Sequence, residues 1–385
     1  MSEEQGSVKS TIAVSITNFL DSGSIVAGAS GLTFWTKELG LSSFQVGLLG
    51  ALSANAFGSA IGALIGGHLS DKFGRKVIYT YDMLVYMLGT AIIAFSINFP
   101  MLLAGFLITG IAVGAGVPAS WTYISETSGS TDRAKNIGIS QFAWSMGPAI
   151  IFIAGTILAP IGLLGNRLLF IFLTIVAFIA WRLQSKLEES QVFEEQKQAE
   201  KDSGITSHPY KDLFSNMVNI KSLLFLIGVY MFWNLVAGAM GFFMPYVYET
   251  VGGLTNMQAN LLQAVLWILT ALGTYVGFAK FGDRANHRIF YFVGAAMAAA
   301  SWIVLTYAGM NWTSLWLFVI LWGVSAGIWS IIFPTILTSM GFKAAGTFMI
   351  ALLIVSLVIG TVWTPHTRGK SLEQISKERY GNDQD

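Results

Sequence analysis

The sequence predicts an all-α membrane protein built of two related helical halves, and three observations carry that prediction. Of its 385 residues, 54% are hydrophobic and 11% charged, whereas a soluble domain carries about 25% charged residues. The apolar residues gather into eleven stretches, most of them near the about 20 residues a helix needs to cross the hydrocarbon core. A charged loop early in the chain, GGHLSDKFGRKVIY at Gly66–Tyr79, recurs as FAKFGDRANHRIFY at Phe278–Tyr291.

The stretches run Thr11–Trp35, Gln45–Leu69, Val77–Ile97, Met101–Ile124, Asn136–Leu163, Leu168–Trp181, Ser222–Tyr248, Met257–Phe281, Ile289–Gly309, Thr313–Met340 and Ala344–Thr364. They are apolar on every side rather than along one stripe, so they read as spans and not as surface helices. The sixth is the shortest and is expected to start earlier or to continue as helix into Arg182–Lys186. The first is too long for a signal peptide, has no basic run before it, and is expected to be retained.

Basic residues concentrate in alternate loops. Lys72, Arg75 and Lys76 lie between spans two and three, and Arg133 and Lys135 between four and five. Arg182, Lys186, Lys197, Lys201, Lys211 and Lys221 lie between six and seven, and Arg284 and Arg288 between eight and nine. The other loops hold only Lys37 and Arg167. Positive charge marks the cytoplasmic side, so the N-terminus is expected to be cytoplasmic in a multi-pass plasma-membrane protein.

The polar segment after the sixth span divides the chain. Residues 1–183 form a first transmembrane half, 184–220 a cytoplasmic segment of solvated helices, 221–364 a second half, and 365–385 a cytoplasmic tail. In the repeated loop Asp71 falls on Asp283, Lys72 on Arg284, Lys76 on Arg288 and Tyr79 on Tyr291. Parallel repeats of this kind place a solute site between the halves, near the bilayer midplane.

The halves are unequal. Thr11 to Gln184 is 174 residues and Lys221 to Thr364 is 144; the deficit of 30 is about one span plus a turn. Eleven spans would also put the tail outside, although it carries Arg368, Lys370, Lys377 and Arg379. About one span is therefore expected to be missing near Ser325–Ser330, where LWGVSAGIWSIIFPTILTSM at Leu321–Met340 joins the start of the tenth span to the end of the eleventh. A genuine eleven-span chain is the alternative.

Several chemistries are excluded. With no cysteine there is no disulfide, thiolate nucleophile or cysteine metal site. A net charge of +1 gives no field for nucleic acid. GIAVGAG at Gly110–Gly116 lies inside a span with no strand before it, so it is no dinucleotide loop; its small residues let helices approach closely. His68, His208, His287 and His366 are scattered without metal spacing. No cofactor, no metal and no enzymatic activity are expected. The expected partners are a small polar solute, a proton and the lipid bilayer, with the chain a monomer.

Asp21 is the sharpest single signal. It lies in the middle of the first span, far from Lys9 and Lys37. An ionisable residue at that depth is expensive and marks a functional site by default. Burial disfavours its charged form, which suits it to take up and release a proton. Asn55, Gln141, Trp144, Trp233, Asn234, Gln263 and Trp267 are candidate solute-binding residues. Amides both donate and accept, as hydroxyl-rich solutes require, and indoles cover apolar sugar faces. Asp71, Arg75 and Lys76, with Glu126, Arg133, Asp283, Arg284 and Arg288, are candidates for a cytoplasmic gate whose charge-assisted bonds close one side. Asp82, a turn into the third span, reads as structural. Trp35, Trp181, Trp312 and Trp363, near span ends, read as interfacial belt residues.

Gly66, Leu69, Asp71, Lys72, Gly74, Arg75 and Lys76 resemble the GxLxDKxGRK loop signature of the major facilitator superfamily, and nearly the whole chain fits its plan of two six-helix halves. LEESQVF at Leu187–Phe193, PHTRGKSLEQI at Pro365–Ile375 and SQFAW at Ser140–Trp144 resemble segments of its sugar porter and metabolite:proton symporter branch. The resemblance implies proton coupling at Asp21, sugar contact at Gln141, and a cytoplasmic loop that holds the outward-open state. Phe106 stands where that branch has an arginine. Asn234 matches the first position of the branch's seventh-span sugar motif, but Leu235 and Met240 do not match the others. The leading expectation is import of a sugar, polyol or small organic acid by proton symport through alternating access. Proton-antiport efflux of small amphipathic compounds and facilitative uniport are the alternatives. A non-transporting receptor would call for a large soluble signalling domain, and the sequence holds none.

Overall fold

The structure, a computed structural model, describes residues 2–54, 56–127, 133–203, 240–281 and 287–324. Every regular element among them is helical. Helix α1 (Ser2–Leu39) ends at Gly40, whose φ of +62° only glycine adopts without strain, and the Leu41 N–H turns back to donate to Thr36 O at 3.0 Å. Helix α2 (Ser43–Leu52) opens on a capping box: Ser42 Oγ accepts from the Gln45 N–H, and Gln45 Oε1 accepts from the Ser42 N–H. With α3 (Phe57–Phe73) it makes one span interrupted near Ser53. Gly74, at φ +102°, turns the chain into α4 (Arg75–Ala94). Then follow α5 (Phe99–Thr127), α6 (Arg133–Leu158) and α7 (Leu163–Gln184). Helix α8 (Gln191–Ser203) is polar and largely exposed. The described part of the second half holds α9 (240–250), α10 (Asn256–Phe281), α11 (His287–Tyr307) and α12 (Trp312–Val324).

Seven helical stretches among the described residues are long and apolar enough to cross a membrane. They correspond to the first six expected spans and the eighth. The sixth starts at Leu163, before the Leu168 edge drawn from hydropathy. The reason is that the two polar residues of its first turn are already engaged: Asn166 bonds inward to α1, and an Arg167 Nη donates to Ser96 O at 2.7 Å. The ninth expected span falls on α11 and the turn after it, and the seventh and tenth are described in part. The eleventh, the junction near Ser325–Ser330 and the tail lie outside the described residues.

Helix α1 runs through the middle of the first half. It packs on α5, α6 and α7, and α10 of the second half reaches it and lies along α6. Helices α3 and α5 touch backbone to backbone. A methyl on Gly114 would overlap the carbonyl oxygen of Ser59, and one on Gly62 that of Ile111. This is the close approach expected of the small residues at Gly110–Gly116. Large apolar side chains such as Leu64, Leu88, Ile157 and Ile175 are exposed on the outside, as lipid-facing surface requires. One core gathers Leu20, Leu32, Trp35, Tyr86, Phe106, Phe152 and Phe170 with Phe242 of α9. A second gathers Tyr248, Leu266, Phe318 and Trp322. Trp267 packs against both, so it lies where the two halves meet.

Candidate functional site

The middle of α1 is polar and inaccessible to solvent. Thr17, Asn18, Asp21, Ser22 and Ser24 are all buried, and most of them are satisfied. The Asn18 amide donates to Ser140 Oγ on α6 and accepts from Ser120 Oγ on α5 at 3.4 Å. Gln184 of α7 donates to Ala13 O at 2.9 Å and to Thr17 Oγ1. Tyr86 of α4 donates to Leu20 O at 2.8 Å. Asp21 is the exception. It is wholly buried, and neither carboxyl oxygen has a hydrogen-bond partner among the described residues. Phe106 fills the space beside Gly28 and stacks edge-on against Phe170 and Phe242.

On the facing side, α10 carries Asn260, Gln263 and Trp267 at spacings of three and four, one row on one helix face. Asn260 donates to Ser30 O of α1 at 3.4 Å and to Asn256 Oδ1 at 2.8 Å, so the row faces the first half. Yet Asn260 Oδ1, both polar atoms of the fully buried Gln263 and the Trp267 indole N–H have no partner among the described residues. The Tyr248 hydroxyl, which likewise makes no well-formed hydrogen bond, lies beside Gln263, close enough for the two to pair with each other. Buried polar atoms are satisfied in the great majority of cases, so this concentration of free donors and acceptors between the halves is chemically distinctive. Gln141 and Trp144 are half-buried on α6. Asn55, Trp233 and Asn234 lie outside the described residues.

At the end of the bundle where the helices meet the loop 71–76, Arg75 organises the charge. Its guanidinium donates to Glu126 Oε1 at 2.8 Å and to Ser70 O at 3.2 Å, and it covers the Phe193 ring at 5.0 Å. Its contact with the half-exposed Asp71 is longer, 3.8 Å. The Arg75 and Lys76 backbone N–H groups donate to the two carboxylate oxygens of Glu189 at 3.0 and 3.1 Å. A carboxylate at a helix N-terminus meets free N–H groups and the positive end of the helix dipole. Gly74 makes this possible, since a methyl there would overlap Glu189. Among the described residues these bonds stay within the first half and the segment that follows it. Lys76 contributes its main chain. Arg133 and Arg288 stand in the first turns of α6 and α11, and Asp283 and Arg284 lie outside the described residues. Sequence reasoning misses Glu189, although it picks out the LEESQVF segment that contains it.

At the opposite end, Asn256 Nδ2 donates to Ser30 O at 2.7 Å and to Glu249 Oε1 at 2.9 Å, joining the halves. Burial pushes the Glu249 carboxyl up, against the Asn256 hydrogen bond that holds it down. Trp35 is not a belt residue. It is fully buried, its indole donates to Asn166 Oδ1 at 2.7 Å, and the Arg167 guanidinium lies over its ring at 5.3 Å. Trp312 is half-exposed.

Comparison with known proteins places this geometry. The chain matches the Major Facilitator Superfamily over residues 12–365. It is 40% identical to the minor myo-inositol transporter IolF of Bacillus subtilis (strain 168) across 98% of this chain and 95% of that protein. That alignment covers 417 positions, 32 more than the 385 residues of the chain, so at least that many positions of the relative have no counterpart here. Over 36% of this chain and 28% of the relative, it is 34% identical to the arabinose-proton symporter of Escherichia coli (strain K12). The proton:xylose symporter XylE bound to 6-bromo-6-deoxy-D-glucose shares the fold, with a TM-score of 0.66 at 16% identity, covering 98% of this chain and 99% of that one. The family match and the near full-length relative agree with the packing of apolar helices described above: this chain is a multi-pass membrane protein and belongs to the Major Facilitator Superfamily of transporters.

Proposed function

We propose that this protein carries a polyol or sugar across the plasma membrane, inward and together with a proton, by alternating access. The observation that supports it best is the row Asn260, Gln263 and Trp267, which presents unpartnered donors, acceptors and an indole where the two halves meet. Hydroxyls need both donors and acceptors around them. The myo-inositol transporter at 40% identity makes cyclitols the first solutes to try. Asp21 is the proposed proton carrier, since an acid with no partner at mid-span gains most from binding a proton. Gln141, Trp144, Trp233, Asn234 and Asn55 are proposed to complete the cavity. The end bearing the loop 71–76 is proposed to be cytoplasmic, with Arg75, Glu126 and Asp71 as its gate, assisted by Lys76, Arg133, Asp283, Arg284 and Arg288.

We further propose that the second half is one span short. The repeat length, the basic tail and the at least 32 unmatched positions of the relative support this reading, because about 20 residues and a turn make one crossing. The experiment that tests the function is isotope-labelled myo-inositol binding by the purified protein. A Gln263→Ala or Trp267→Ala variant is expected to bind at least about tenfold more weakly, equivalent to about 1.4 kcal/mol. Binding that is unchanged in both variants would overturn the assignment of this row.

A further inference from the structure

Asp82 of α4 is a second buried carboxyl, and its surroundings connect it to Asp21. It is 5% exposed. Its Oδ1 accepts only from the N–H of Met83, the next residue of its own helix, at 2.6 Å. Its Oδ2 has no partner among the described residues. That oxygen points across to α5 at Gly116, where a Cβ would come within 2.5 Å of it, and Thr17 Cγ2 of α1 lies 3.4 Å from the same place. The carboxyl therefore occupies a notch at the junction of α1, α4 and α5, opened by the missing side chain of Gly116. Asp21 lies one turn further along α1 from Thr17. One turn further along α4 from Asp82 is Tyr86, which donates to the carbonyl of Leu20, the neighbour of Asp21. Both acids thus stand in one interhelical seam, a single turn apart, near enough for their charges to interact.

The other ionisable groups near the seam are few. Tyr79 and Tyr86 come from α4 itself, and Tyr79 donates to Ala119 O. Helix α5 offers Tyr123 and Glu126, the latter already held by Arg75. Helix α7 brings the neutral Gln184 to Thr17, and α6 faces Asn18 with Ser140. Among the described residues no cation is bonded to either acid. Two like charges in a low-dielectric seam repel strongly.

We propose that Asp82 is a second proton-carrying carboxyl, which works with Asp21 as one site holding a single exchangeable proton. This rests on the proton-symport reading above. In the handover the O–H bond of the Asp21 carboxylic acid breaks and an O–H bond forms on the Asp82 carboxylate. The charge of the pair is the same before and after, so the handover itself places no second negative charge in the seam; release of the proton from Asp82 leaves two carboxylates, whose repulsion favours taking up the next proton. Asp82 is two turns from the start of α4, about 10 Å at the helical rise, and so is the member that exchanges with the side bearing the loop 71–76.

The test is infrared difference spectroscopy of the full chain in lipid, following the carbonyl stretch of protonated carboxylic acids as pH is varied. The parent, Asp82→Asn, Asp21→Asn and the double variant are compared. Interacting acids titrate as a pair, so each single variant is expected to shift the titration of the remaining carboxyl by more than about one pH unit, a tenfold change in proton affinity. If Asp21 in Asp82→Asn titrates as it does in the parent, the proposal is overturned. Should Asp82→Asn fail to fold, Asp82→Glu takes its place. There, a displaced carbonyl band from the lengthened side chain together with a shifted Asp21 titration supports the pairing, and a displaced band with an unshifted titration overturns it. The readout needs no solute, so failure of the pairing and failure of proton symport are told apart.

Discussion

At the scale of single residues, the structure separates two kinds of buried polar group. Arg75 and Glu126 are little exposed and bonded to each other, so removing one leaves the other charge stranded. Arg75→Met is expected to destabilise the protein by about 3 kcal/mol, read as a lower midpoint in a thermal unfolding scan in detergent. Arg75→Met with Glu126→Met should recover most of that loss. If the double variant is no better than the single one, the pair is not what holds that end of the bundle. Gln263 is the opposite case. Its amide makes no well-formed hydrogen bond among the described residues and faces the Tyr248 hydroxyl, and replacing an unsatisfied buried group by an apolar one of similar shape is neutral or stabilising. Gln263→Met is therefore expected to melt no lower than the parent while losing solute affinity. A clear drop in stability would show that Gln263 is packing glue.

At the scale of elements, close contact explains two sensitive positions. Gly114→Val would push α5 off α3, because even a methyl there overlaps the Ser59 carbonyl. A backbone shift of this kind costs about 1–3 kcal/mol, and the expected result is a lower melting midpoint. Gly74→Ala combines the penalty of a positive φ with a clash against Glu189. It is expected to release the segment 187–190 from the α4 N-terminus, read as faster proteolysis near that segment.

The helices themselves are legible in the sequence because spans are long, apolar and punctuated by charge. Their edges are less so. Asn166 and Arg167 look like a loop in a hydropathy profile, yet they start α7, because their polar groups are satisfied by α1 and by Ser96. Trp35 looks interfacial for a similar reason: position along a span does not reveal whether a ring faces lipid or a neighbouring helix. Asp21 is legible as a lone deep charge. Asp82, also deep, reads as structural in the sequence, because its nearness to Asp21 depends on how α1 and α4 cross. Glu189 is invisible as a cap for the same reason, more than a hundred residues from the N–H groups whose hydrogen bonds it accepts.

At the scale of the whole molecule, the proposed function depends on two halves that close on a solute from either side. The row on α10 and the acid on α1 belong to different halves, and α10 packs along α6 and reaches α1. A second half one span short would leave part of the cavity wall missing. The 385-residue chain is therefore expected to show no solute uptake in proteoliposomes, and a version with a span-length insertion near Ser325–Ser330 is expected to show it. Uptake by the chain without the insertion would contradict the missing span.

The most direct test of proton-coupled polyol or sugar transport is the pH change outside proteoliposomes when solute is added. The proteoliposomes would hold the span-restored protein, and parent and Asp21→Asn would be compared on myo-inositol and a panel of sugars. The account predicts alkalinisation with at least one polyol or sugar in the parent and its loss in Asp21→Asn. Solute entry with no proton movement in the parent, or undiminished proton movement in Asp21→Asn, would contradict it.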